Sequence, residues 1–343
     1  MRSTPLTEPA RAILAIDGSP FGSALALLPA TRALRASYPK TLLVAAAASG
    51  TCELLSFAGF VDDTIDLGVI KSSDRRYTRT LGKLATLIRR SRRYNFDLVL
   101  DFSPSIETQI ASRVISRGRT ITPSRLPRAI EALLELVGVP RPVDPPGLSN
   151  YKKVLAQVGA AMTDTTFQVA LPDNEHARFE QRLRKAGSGG GELIVLLYAS
   201  NPDDSRGWPV EAFAETGRRL ANNFDARVIA ADEPSDAAFT NALDALAVSG
   251  IAKIAEPRAV ELMAAIARAS IAITDEPAIA KIASEFGTPV IEVADTDSRN
   301  PGSSSSHRIL NAASRKRVTI DEVYEKACEM IQESRSSSLF RRP

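Results

Sequence analysis

Only two cysteines, Cys52 and Cys328, and two histidines, His176 and His307, occur in the 343 residues. The cysteines lie too far apart in sequence to outline a disulfide framework or a thiolate zinc cluster. Two histidines leave no material for a histidine-rich metal site or a histidine relay. Long apolar runs are missing as well. The first hydrophobic stretch, Ala12 to Ile16, is closed by Asp17 and Gly18, far short of the roughly 18 apolar residues that a membrane span needs. The opening MRSTPLTEPAR carries no apolar core behind its charge, so a cytoplasmic chain without a signal peptide is expected. A one-sided charge is also lacking: 43 basic against 40 acidic residues give a formal +3. That balance argues against a nucleic-acid polycation, and an apolar fraction of 44% argues against disorder.

What is present is an alternation. Short runs rich in Val, Ile and Leu recur between longer stretches of helical period, the pattern of parallel strands joined by crossover helices. Strands are expected at 12–16, 41–46 and 97–101, and again at 193–197, 227–231, 252–254, 271–274 and 289–293. Helices are expected near 23–36, 78–93, 106–114, 175–185 and 319–333, with another opening at Pro209, where Val210, Phe213, Gly217 and Leu220 share one stripe. From Arg119 to Ala161 the strand signal fades into two helical stretches around the stiff connector VPRPVDPP at 139–146. The final SRSSSLFRRP reads as a frayed basic tail. The fold class is therefore α/β. A boundary near Pro172 divides the chain into two units, 1–172 and 173–343, each long enough to bury its own core. Two doubly wound sheets in series bind ligands beyond the carboxyl ends of their strands, so a cleft between the units is the expected site.

Four segments could carry chemistry. IDGSPFGSALALLP follows the first strand and could turn backbone N–H groups and a helix dipole toward an anion; a tight turn without a ligand accounts for it equally well. Neither G-x-G-x-x-G nor a P-loop is present, which removes the main support for dinucleotide oxidoreductases and P-loop enzymes. YASNPDDSRGWP follows the strand at 193–197, and its Ser200, Asn201, Ser205 and Arg206 could meet a phosphate, or could simply be a solvated loop. The single tryptophan, Trp208, reads as a packing anchor. In ITDEPAIAKIASEFGTP, Asp275 and Glu276 either cap a helix or hold ligand hydroxyls; Asp295 and Asp297 are too few to claim a metal. Finally, residues 71–93 hold nine cations, among them Arg75, Arg76 and Arg79, against Asp74 alone. Such a local field can collect a polyanion or an anionic membrane surface, or it can be a solvated helix face.

Taken in order, RAILAIDGSPFGSALALLPATRALRASYP, YNFDLVLDFSPS, VLLYASNPDDSRGWPVEAFAETGRRL and ITDEPAIAKIASEFGTPVIEVADTD resemble the successive blocks of glycosyltransferase family 9, the ADP-heptose:lipopolysaccharide heptosyltransferases. The resemblance spans about 11–333. It implies a GT-B fold of two Rossmann-like domains, with a lipid-linked anionic acceptor on the first and a nucleotide sugar, ADP-linked, on the second. It further implies inverting, metal-independent transfer of heptose to the lipopolysaccharide core, with no cofactor beyond the donor substrate, no nucleic-acid partner, and peripheral contact with the inner face of the plasma membrane. By the same resemblance Gly22, Arg75, Arg76 and Arg79 would meet the acceptor, and Ser200, Asn201, Arg206, Asp236, Glu276 and Lys281 the donor. The departures from the family pattern are specific. Ser23 stands where the family's first block carries its base aspartate, Arg206 replaces a lysine, and Glu276, Ala278 and Lys281 replace the aspartate, glycine and histidine of a later block. Asp17 and Asp101, both at carboxyl ends of first-domain strands, are the candidates for a displaced base. Three accounts stay open: an active transferase with such a base, a member that binds nucleotide sugar or glycan without transfer, and a likeness of fold alone.

Overall fold

The computed structural model describes residues 10–68, 85–103, 106–122, 148–167, 169–171, 173–185, 193–199, 207–234, 237–247, 250–294, 307–311 and 318–339. The chain divides into two compact units, Met1–Val169 and Ala170–Pro343.

The first unit holds strands β1 Ala12–Ile16, β2 Leu42–Ala47, β3 Asp63–Asp66, β4 Leu98–Asp101 and β5 Arg119–Ile121 in the order β3-β2-β1-β4-β5, every pair parallel. The central strands are buried along both faces, as AILAI and LVLD show, because helices cover a parallel sheet on both sides. One face packs Leu14, Ile16, Val44 and Val99 against Leu87 and Ala111, which belong to the helical residues 85–91 and to the helix Ile106–Ile115. Where one helix is expected over 23–36, two form, Phe21–Ala24 and Leu27–Ser37. Pro29 has no N–H to continue the first helix, so the chain restarts and takes proline into a new first turn, where it is tolerated.

In the second unit β6 Ile194–Tyr198, β7 Arg227–Ala231, β8 Ile251–Ile254, β9 Ile271–Thr274, β10 Val290–Ala294 and β11 His307–Asn311 form a parallel sheet in the order β11-β10-β9-β6-β7-β8. Its main core gathers Val195, Leu197, Val228, Ile271 and Ile291 beneath Phe213, Leu220, Val323 and Met330. Val210, Phe213, Gly217 and Leu220 are all buried, as their shared stripe requires. Gly217 needs its missing side chain, since a Cβ there would stand 2.9 Å from Leu197 Cδ1.

Three strands escape the sequence pattern: β3, β5 and β11. Arg119–Ile121 contradicts the expected loss of strands after Arg119. All three are sheet edges, where one flank of the strand faces solvent and polar residues break the apolar run. The last helix extends through Leu339, so most of the expected frayed tail is helical. Of the two helical stretches expected between 119 and 161, Leu148–Ala156 is seen; residues 123–147 lie outside the described residues.

Candidate functional site

In both sheets the strand order reverses once, between β1 and β4 and between β6 and β9. Connections leave such a switch point in opposite directions, opening a crevice at the carboxyl end of the strands. The registers Ile16↔Asp101 and Tyr198↔Thr274 mark the two points.

At the first point Asp17 and Asp101 lie side by side with no exposed surface. Asp17 accepts the Ser19 N–H at 2.8 Å and the hydroxyl of Tyr151, whose ring stacks on Phe102 at 4.4 Å. Asp101 accepts the Ser103 N–H at 3.0 Å, and Ser103 Oγ accepts the Gly18 N–H at 2.6 Å, tying the two loops together. Gly18 permits that closeness, because a Cβ would stand 3.0 Å from Thr108 Cγ2. Burial raises the pKa of Asp17; burial, with the Asp17 charge added, pushes Asp101 up to about 7. Burial and the Asp17 charge hold the Tyr151 hydroxyl well above its ordinary pKa, so it remains a donor.

The turn expected to offer backbone N–H groups to an anion therefore spends those of Gly18 and Ser19 inside the protein. The proposed substitute bases, Asp17 and Asp101, present no surface to a ligand, and a carboxylate so enclosed cannot take a proton from a bound hydroxyl without rearrangement. Gly22 and Ser23 are half-buried in the four-residue helix that follows. Arg75, Arg76 and Arg79 lie outside the described residues.

Sequence reasoning passed over three residues at this edge. Tyr151 comes from the stretch read only as helical, 134 positions from Asp17. Thr51 Oγ1 and Gln109 Nε2 are buried without a hydrogen-bond partner, in the first turns of the helices after β2 and β4. They are donors left unspent at the carboxyl end of the sheet, and no motif pointed to them.

The second switch point is acidic. Asp232, just past β7, is buried and caps the helix Ala238–Ala245, accepting the N–H groups of Phe239 at 2.6 Å and Thr240 at 3.2 Å. Asp275 accepts the Trp208 N–H at 3.1 Å, which fastens the approach to the helix Val210–Phe224 to the end of β9. Glu276, half-buried, caps the helix Pro277–Glu285 through the Ala278 N–H at 3.4 Å. Burial, with the charges of Asp275, Glu233 and Glu292, pushes Glu276 up to about 7. Tyr198 is buried, and Glu233, Glu276, Asp275 and Asp232 add to burial in raising its hydroxyl well above the ordinary range. Beside them, Glu292 and His307 are buried together at 2.8 Å across β10 and β11. A lone carboxylate in the apolar run VIEVA was the available sign of that pair.

Both capping and ligand contact were open for Glu276, and capping is what the geometry shows; Lys281 pairs with Glu285 one turn on. Trp208 is an anchor, edge-on to Phe213 at 4.7 Å and donating Nε1–H to the Val318 carbonyl at 3.0 Å. Ser200, Asn201, Arg206, Asp236, Asp295 and Asp297 lie outside the described residues. No cluster of three or more His, Cys, Asp or Glu able to hold a metal occurs among the described residues, and no helix among them is long and apolar enough to cross a membrane.

No protein-family model and no curated protein matches the sequence. Solved structures do match the fold. A glycosyl transferase of family 9 from Veillonella parvula superposes with a TM-score of 0.68 at 12% identity, covering 96% of this chain and 100% of that one. The E. coli heptosyltransferase WaaC with ADP-2-deoxy-2-fluoro heptose gives 0.60 at 14%, covering 93% and 99%. The UDP-GlcNAc 2-epimerase from Neisseria meningitidis bound to UDP-GlcNAc gives 0.55 at 13%, covering 94% and 91%. The fold is of the GT-B class: two parallel-sheet α/β domains in series.

Proposed function

We propose that the chain is a glycosyltransferase that moves a heptose-type sugar from an ADP-linked donor to a lipopolysaccharide core or a related anionic, lipid-linked cell-envelope glycan, with inversion and without a metal. The observation that carries this reading is the likeness to a family 9 glycosyl transferase over 96% of the chain, in a sequence whose blocks follow that family in order. A heptosyltransferase structure holding an ADP-heptose analogue superposes over nearly the same span, which supports an ADP-linked donor. The working place is the cytoplasm, the donor belongs to the second unit, and the acceptor to the first. There the unspent Thr51 and Gln109 add hydrogen-bonding capacity to Gly22 and the arginines at 75, 76 and 79.

Because the carboxyl edge of the second sheet gathers four acids around Tyr198, a diphosphate needs cations there. Arg206 supplies one, with a planar fork suited to phosphate, and Ser200 and Asn201 supply neutral donors. Asp236 and Glu276 are assigned to ribose or sugar hydroxyls, and Lys281 to the phosphate side.

A second reading has its own observation. Ser23 cannot act as a base without a base of its own, and Asp17 and Asp101 are enclosed, so binding without transfer is the alternative. Calorimetric titration with ADP and with ADP-heptose, with and without magnesium, followed by a turnover assay, separates the two. Metal-independent binding with turnover is the expected result. Binding without turnover assigns the chain to the second reading, and absence of binding by either nucleotide removes the first and leaves only glycan binding of the second.

A further inference from the structure

Asp17 and Asp101 form an acid pair that the fold buries without a cation. The groups that hold them are neutral donors, from Ser19, Ser103, Thr108, Ser112 and Tyr151. The cations of the elements packed around them lie elsewhere. Arg113 of the helix Ile106–Ile115 and Lys152 and Lys153 of the helix Leu148–Ala156 are exposed. On the helix Leu27–Ser37, Arg32 is paired with Asp164 and Arg35 with Asp62. Two adjacent buried carboxylates without a counter-ion resist ionising together, so as pH rises either a proton is retained or the enclosure gives way.

The enclosure is held unevenly. Among the described residues, the Tyr151 hydroxyl makes the one hydrogen bond from the helix Leu148–Ala156 to the strand ends, and it goes to Asp17. Beyond the helix the chain is fastened separately: Tyr38 donates to the Val158 carbonyl, and Arg32 holds the Thr166 carbonyl at 2.8 Å. Release of Tyr151 therefore frees the helix to swing about its carboxyl end while the segment that follows stays docked on Leu27–Ser37.

We propose that the helix Leu148–Ala156 is a pH-operated latch over the first switch point: while the acid pair keeps a proton, Tyr151 holds it shut, and ionisation of both acids releases it and opens Asp17 to the carboxyl edge. Burial and the Asp17 charge set Asp101 at about 7, which puts release in the neutral range. In the open state water surrounds Asp101 and its ordinary value of 3.8 returns. The free energy of opening therefore falls as pH rises from about 4 to about 7 and is level above that. Opening also exposes the buried Tyr151, Val154 and Leu155, which keeps the latch closed at low pH. Under the transfer reading, on which this role alone rests, the latch supplies the rearrangement that Asp17 needs to take a proton from the acceptor.

The test is hydrogen–deuterium exchange of the full chain, without nucleotide or acceptor, at about pH 5 and about pH 8, read as protection relative to the intrinsic rate at each pH. Protection of the amides of 148–156 is expected to fall roughly 100-fold between the two, as values of about 7 closed and 3.8 open allow, while the amides of β1 keep theirs. In Asp101→Asn, which keeps the neutral hydrogen bonds, the fall should vanish. Tyr151→Phe keeps the ring against Phe102 but loses the tie, so protection of the helix at about pH 5 should drop roughly tenfold. A fall that β1 shares in step is unfolding of the whole unit and overturns the proposal. So does unchanged protection across this range, a fall that persists in Asp101→Asn, or wild-type protection in Tyr151→Phe. No transfer is measured, so a failure of the transfer reading shows separately, in the turnover assay.

Discussion

Asp101 shows what a buried carboxyl costs. Ser112 Oγ lies 2.6 Å from the Thr108 carbonyl and 3.2 Å from Asp101 Oδ2, and one hydroxyl proton serves the nearer acceptor, so a proton on Asp101 completes the second bond. This agrees with the pKa of about 7 that burial and Asp17 give the group, against an ordinary value of 3.8. An acid whose folded pKa exceeds its unfolded one binds more protons when folded. Its contribution to stability therefore falls as pH rises from about 4 to about 7 and is level above that. Asp101→Asn keeps the neutral hydrogen bonds, so thermal melts of the variant should lose this slope and give a higher Tm than wild type at pH 8. A wild-type slope in the variant would place the titration elsewhere, Asp17 being next in line. Asp17 and Asp101 were legible in the sequence as acids at strand ends. Their burial was not, because Tyr151 and Ser112, which enclose them, come from other parts of the chain.

The helix Val210–Phe224 ties together most of what its unit buries. Trp208 precedes it, packs on Phe213, and reaches the Val318 carbonyl just ahead of the last helix. Trp208→Ala should cost about 3–5 kcal/mol in urea unfolding. Trp208→Phe keeps ring contact but orphans the carbonyl, and should cost about 1–3 kcal/mol. An unchanged stability of Trp208→Phe would mean that the indole hydrogen bond contributes nothing. Elements with both faces buried were readable from hydrophobic pattern alone: β1, β7 and β9 fall at their expected residues. The edge strands β3, β5 and β11 were not, since DTID, RTI and HRILN carry the polarity of a half-solvated strand.

For the whole molecule, two sheets with separate cores imply two folding units. Residues 170–343 expressed alone should unfold in one cooperative transition, followed by circular dichroism; a non-cooperative melt would show that this core needs the first unit. The sequence by itself determined the α/β class, the serial repetition of a strand-helix pattern and the order of the family-like blocks. It could do so because burial on both faces of a parallel sheet writes an apolar run into each inner strand. The tertiary structure alone decided the fate of the charged residues. It enclosed Asp17 and Asp101 under Tyr151 and made Glu276 a helix cap beside Asp275. The physical reason is that a side chain's charge state and access depend on neighbours distant in sequence, and strand order brings those neighbours together.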